Sequence, residues 1–138
     1  MLEPGAALGT GGRYRVRRLI GRGGFGAAYL ALDIQLERQC VVKQLLLDPR
    51  WSVPERHQAL TSFQREARLI VTLNAPGHPA IPEIYEYLAE SHCVVMKYVE
   101  GDSLHAIARR HGGRLPQADA LRYARDVCAA LSADTQTR

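Results

Sequence analysis

Residues 20–30 read Ile20-Gly21-Arg22-Gly23-Gly24-Phe25-Gly26-Ala27-Ala28-Tyr29-Leu30, three spaced glycines between two apolar runs. Gly21, Gly23 and Gly26 give G-x-G-x-x-G. Glycines at that spacing let backbone N–H groups close on a polyphosphate with no Cβ in the way. The same letters occur where glycines follow a strand and open a helix to hold a dinucleotide. Here the following residues alternate, Ala28, Leu30 and Leu32 against Tyr29 and Ala31 up to Asp33, which predicts a strand although Ala and Leu are poor strand formers. Strand, glycine turn, strand makes a hairpin able to lie over phosphates as a lid. A tight hairpin that uses glycine only to turn sharply has the same pattern, and the turn by itself leaves both readings open.

Upstream, Tyr14 and Val16 alternate with Arg15 and Arg17 before Leu19 and Ile20, so a first strand runs from Tyr14 to Ile20 into the glycines. Residues 1–12 carry Pro4, Gly5, Gly9, Gly11 and Gly12 without periodicity and read as a flexible lead-in. Downstream, Gln39 to Leu47 is a third strand with Lys43 inside an apolar run. A buried ammonium is costly unless paired, so Lys43 either sits on a wet strand face or has an acidic partner. Val53 to Asn74 offers one. Pro54 fits a first helical turn, and Ala59, Phe63, Glu66, Ile70 and Leu73 recur at helical spacing, which places Glu66 in the core-facing stripe. We therefore expect a Lys43–Glu66 ion pair, against the alternative of a helix-edge Glu66 meeting Arg65 or Arg68 in solvent.

The chain has 138 residues, 46% of them hydrophobic and 23% charged, as for one modest globular domain. Its net charge is +4, and Lys43 and Lys97 are the only lysines among eighteen Lys and Arg residues. Arg13, Arg15 and Arg17 would share one side of the first strand as a solvated face; with Arg18 and Arg22 they could also touch nucleic acid or acidic lipid. Cys40, Cys93 and Cys128 are odd in number and lack ligand spacing, so neither a disulfide framework nor a zinc site is suggested. His78 has no second ligand at suitable spacing, and we expect no metal there. No signal peptide or membrane segment is legible, and a cytoplasmic location is expected.

The order of glycine turn, Val41-Val42-Lys43, Glu66 on a helix, His78-Pro79-Ala80-Ile81-Pro82 and Val94-Val95-Met96-Lys97-Tyr98-Val99-Glu100-Gly101 resembles the start of a bacterial serine/threonine protein kinase of the eukaryotic type, over residues 13 to 131. The resemblance implies an α+β fold: an N-lobe over 13–99, with five antiparallel strands and one large helix, then the first two helices of the C-lobe over 100–138. It implies that Lys43 contacts the α- and β-phosphates of ATP while Glu66 holds it. It makes Gly21, Arg22, Gly23, Gly24, Phe25 and Gly26 the phosphate lid with Phe25 at its tip, and Ile70 a member of the hydrophobic spine between lobes. Ala28 and Val41 would pack on the adenine ring. Met96 would be the gatekeeper, and Lys97, Tyr98 and Val99 the hinge whose backbone meets the adenine edge.

After Asn74, Ala75-Pro76-Gly77-His78-Pro79 should loop back, with strands at Ile84 to Ala89 and Cys93 to Met96. Asp102 or Ser103 can cap a short helix through His111, ended by Gly112-Gly113; Pro116 opens another with Ala120, Tyr123, Ala124, Val127, Cys128 and Leu131 on one face. Family members usually carry Val at the place of Ala28, Ala at that of Val41 and Glu at that of Lys97. The first two exchanges offset in volume, so the adenine slot should survive with a shifted shape.

Beyond Leu131 the sequence reads Ser-Ala-Asp-Thr-Gln-Thr-Arg, without a His-Arg-Asp-like loop, an Asp-Phe-Gly or an activation segment. No catalytic residue of the family is therefore expected in this chain beyond the supporting Lys43–Glu66 pair, and the Mg²⁺ ligands are missing. Three readings stay open. One is the ATP-binding portion of a kinase, truncated by gene decay, frameshift or fragmentary sequence and inactive alone. Another is a non-catalytic, pseudokinase-like ATP-binding or regulatory module. The third, a basic nucleic-acid-binding domain, is disfavoured because aromatic residues do not interleave with the arginines. ATP is the expected ligand, bound weakly with one lobe only, and the terminal helices expose apolar faces that another protein would cover.

Overall fold

A computed structural model describes residues 1–24, 26–74 and 77–132 of the chain. Phe25, Ala75, Pro76 and residues 133–138 lie outside the described residues, and with them the expected lid tip and part of the loop after Asn74. Strands β1 (Ala7–Leu8), β2 (Tyr14–Arg22), β3 (Gly26–Asp33) and β4 (Arg38–Leu45) precede helix α1 (Val53–Asn74). Then come β5 (Ile84–Leu88), β6 (Cys93–Lys97), α2 (Leu104–Arg110) and α3 (Gln117–Ser132). The strands form one antiparallel sheet in the order β1-β2-β3-β4-β6-β5.

Five of the strands are those expected from the sequence. The sixth, β1, lies in the stretch read as a flexible lead-in, and that reading needs correction. Two residues are too few to show a period, but Gly5 N–H donates to the Val16 carbonyl (2.8 Å) and Val16 N–H to that of Ala6 (2.9 Å). Leu2, Ala6 and Leu8 pack against buried Val16, Ala27 and Tyr29. Gly9 is required where the segment turns: its φ is +74°, and a Cβ there would stand 3.0 Å from the Tyr14 ring.

The chain divides into two compact units, Met1–Thr72 with Pro82–Tyr98, and Leu73–Ile81 with Val99–Arg138. All buried core residues belong to the first. On one face of the sheet Tyr14, Ala31, Cys40, Val42, Cys93 and Val95 close together; on the other, Leu45 and Val94 meet Phe63 and Ala67 of α1. Burial pushes the Cys40 thiol up to about 11 and raises that of Cys93 as well.

Asp33, fully buried at the end of β3, joins the base of three strands. Arg13 grips it through two bonds, Nε to Oδ1 at 2.9 Å and Nη2 to Oδ2 at 2.7 Å. The backbone N–H groups of Gln35 and Leu36 donate to Oδ1, and Arg38 stands 3.7 Å from Oδ2. The Arg13 hydrogen bonds hold this carboxyl below its usual range against the opposing effect of burial. Arg13 is therefore no part of a solvated arginine face. Its side chain is only 26% exposed, because it precedes β2 and turns onto Asp33, whereas Arg15 and Arg17 are exposed.

Helix α1 begins with an S-x-x-E capping box that the sequence reading missed. Ser52 N–H donates to Glu55 Oε2 (2.6 Å), and Glu55 N–H reaches back to Ser52 Oγ (3.4 Å). In the second unit, Ser103 caps α2 by accepting from Ala106 N–H at 3.2 Å. No residue of α2 or α3 is buried.

Candidate functional site

The glycine stretch forms a hairpin between β2 and β3. Gly21 lies opposite Ala28 and Arg22 opposite Ala27, and Gly23 N–H donates to the Gly26 carbonyl at 2.9 Å to close the turn. The glycines have different surroundings. A Cβ on Gly21, Gly23 or Gly24 would meet nothing within 4 Å, so their backbone faces open space. One on Gly26 would lie 2.6 Å from the Gln44 carbonyl oxygen, because β3 and β4 come together there.

Beneath the hairpin is a cavity of about 700 Å³ bordered by Gly21, Gly23, Gly26, Ala28, Lys43 and Glu66. Lys43 lies opposite Ala28 in β3 and Val94 in β6, and its Nζ is 2.5 Å from Glu66 Oε1 of α1. The expected placement of Glu66 in the core-facing stripe needs correction. Phe63 and Ala67 take the buried positions of α1, and Glu66 stands at the stripe's edge with its side chain 52% exposed. Lys43 is 38% exposed. Ion pairs this open contribute at most about 1 kcal/mol, so the pair fixes where the ammonium points rather than holding the fold together.

Val41 lies between Leu30 and Met96 in the register, on the same sheet face as Ala28 and one diagonal step away. Met96 meets Ile70, Ile84 and Val94 around a void of about 10 Å³ that Lys43 and Glu66 also border, too small for anything beyond a water. Lys97 ends β6 opposite Cys40, with its N–H donating to the Glu83 carbonyl at 2.8 Å. Val41, Met96, Lys97 and Tyr98 do not line the large cavity, and Val99 belongs to the second unit. The far wall of the cavity was not legible in advance. It is made by Leu45, by Trp51 just before α1, and by Gln58, Ala59, Ser62 and Phe63 of the first half of α1. Only the helical spacing of Ala59 and Phe63 hinted at it.

An open glycine turn facing a cation held by a carboxylate can position a phosphate chain, so the residues present fit a polyphosphate. They offer less to a metal: among the described residues no group of three or more His, Cys, Asp or Glu side chains could hold an ion. No helix among them is long and apolar enough to cross a membrane.

The protein kinase domain family matches residues 14–133. The chain is similar to serine/threonine-protein kinase B of Synechocystis sp., 38% identical over 114 residues that make up 78% of this chain and 19% of that protein. It is 40% identical to serine/threonine-protein kinase PknA of Nostoc sp. over 105 residues, 72% of this chain and 18% of that one. With serine/threonine-protein kinase PrkC of Bacillus subtilis it shares 33% identity over 123 residues, 88% and 18% of the two chains. It thus spans about a fifth of the length of these relatives. Among solved structures, "PpkA-294 apo form" has a similar fold, with TM-score 0.71 and 23% identity over 88% of this chain and 47% of that one.

Proposed function

This chain belongs to the protein kinase family, and from that premise we propose that residues 13–99 are the ATP-binding portion of a serine/threonine protein kinase. The observation that carries the reading is the Lys43–Glu66 pair, 2.5 Å apart, beneath a glycine turn whose open side has room for phosphate. Backbone N–H groups of the glycine turn that are not engaged in closing it would take phosphate oxygens. The Lys43 ammonium would offset the charge of the α- and β-phosphates, and Glu66 would keep it from swinging away. Ala28 and Val41 would pack on the adenine ring with Met96 behind it, and the backbone at Lys97, Tyr98 and Val99 would meet its polar edge. Bound ATP supplies the γ-phosphoryl group that the family transfers to protein Ser or Thr. The chain's own residues bind and orient the nucleotide; the family's catalytic-loop Asp and Asp-Phe-Gly are not among these 138 residues, and no transfer step is assigned to them.

Calorimetric titration with ATP, with and without Mg²⁺, tests this on the purified chain and on Lys43→Ala, each first shown to be folded. Saturable binding of micromolar affinity or weaker is expected, reduced by roughly tenfold or more without the charge-assisted contacts of Lys43. A folded wild-type chain that takes up no ATP would overturn the proposal. A non-catalytic nucleotide-binding regulator shares the intact cradle and ion pair. It is separated by supplying a family C-lobe with catalytic loop and Asp-Phe-Gly in trans: a kinase portion then gains activity, a regulator does not.

A further inference from the structure

Strand β3 has two faces with different duties. Gly26, Ala27 and Ala28 border the cavity, while the side chains of Ala27, Tyr29 and Ala31 are buried against the sheet's other face. What packs against Ala27 and Tyr29 therefore sets the height of the cavity's roof, and much of that packing comes from the N-terminal segment through Leu2, Ala6 and Leu8. We infer that residues 2–8 are a strap that positions the glycine hairpin, with Tyr29 as the positioning residue that connects strap to site.

Three contacts make the connection. Leu2 N–H donates to the Tyr29 hydroxyl oxygen at 3.1 Å, and the Tyr29 hydroxyl donates to Gln44 Oε1 at 3.3 Å. Gln44 in turn presents the backbone carbonyl against which Gly26 closes, so near that a Cβ would not fit. The hydroxyl thus ties strap, β3 and β4 together directly behind the turn. The same segment grips β2 through Gly5, Ala6 and Val16, and past Val16 the register of β2 against β3 slips twice, between Val16 and Arg18 and between Leu19 and Gly21. The hairpin's base is consequently fastened from the strap side. A Tyr at position 29 satisfies this arrangement where Phe would leave the Leu2 amide and the Gln44 oxygen without their shared partner.

The effect on ATP rests on the nucleotide-binding reading above; the hold on the hairpin does not. The test is amide hydrogen exchange in wild type, Tyr29→Phe and Leu2→Pro, the last removing the Leu2 N–H while keeping the chain length. Exchange at Gly23, Ala27 and Ala28 should quicken by about two- to tenfold in each variant, the range for one lost hydrogen bond, with α1 and β6 unchanged. The effects of the two substitutions should be less than additive in the double variant, since Tyr29→Phe already removes the hydrogen bond that Leu2→Pro cuts. ATP affinity should fall by the same factor. Unchanged exchange at the turn, or an equal rise through α1 and β6, would overturn the strap's positioning role. If the wild-type chain binds no ATP, the nucleotide reading fails while exchange still decides on the strap.

Discussion

Gly23 and Gly26 bracket one turn, but a methyl group added to each meets different surroundings. Gly26→Ala drives a Cβ to 2.6 Å from the Gln44 carbonyl, backbone against backbone, and should destabilise the chain by about 1–3 kcal/mol, as overpacking does. Gly23→Ala meets open space at an ordinary φ and should change the unfolding free energy by no more than about 0.5 kcal/mol, read from urea unfolding. Its methyl would occupy the space proposed for phosphate, so ATP binding should weaken by roughly tenfold, the worth of a charged hydrogen bond. Equal ATP affinity in Gly23→Ala and wild type would count against the cradle. The cysteines also differ by site: Cys40 and Cys93 are buried with raised thiol values, and Cys128 is exposed. At about pH 8 a thiol reagent should titrate one cysteine per folded chain and three in urea, because the thiolate is the reacting form.

At the scale of elements, Asp33 ties the starts of β2 and β4 to the end of β3, and this makes the sheet sensitive to acid. Its folded carboxyl titrates below the unfolded range near about 3.9. The stabilisation is therefore complete above that range and is lost as pH falls through the lower folded value. Urea midpoints should drop below about pH 4 in wild type, and this part of the drop should vanish in Asp33→Asn, whose midpoint is lower from the outset. For α1, Ser52→Ala should cost about 1 kcal/mol by removing the cap. How far such features could be read beforehand follows from their range. The alternation of Tyr14 and Val16 is local and gave β2; Pro54 and the repeat through Ile70 gave α1 with the same bounds the structure has. Arg13 and Asp33 lie far apart in sequence with no pattern linking them, and β1 is too short to have a period. Lys43 and Glu66 were legible as a pair because each is anomalous among apolar neighbours. Their partial exposure was not, since it depends on a cavity whose wall includes Trp51 and Ser62.

For the whole molecule, the uneven distribution of burial decides how it should unfold. The three clusters of buried residues draw only on the first unit, whereas α2 and α3 contain no buried residue. A helix the length of α3 is marginal in water without packing. Native-state hydrogen exchange should accordingly show α3 amides opening with little dependence on urea, while β3 and β4 amides exchange only through global unfolding. Circular dichroism should lose helix before the sheet core yields. Leu121, Val127 and Leu131 are each more than half exposed along α3, which adds a dependence on concentration. Protection of α3 that grows as the protein is concentrated, and falls again in Leu131→Glu, would assign its cover to a second copy of the chain. Protection equal to that of β4 at every concentration would contradict the low protection expected from the absence of buried residues in α3.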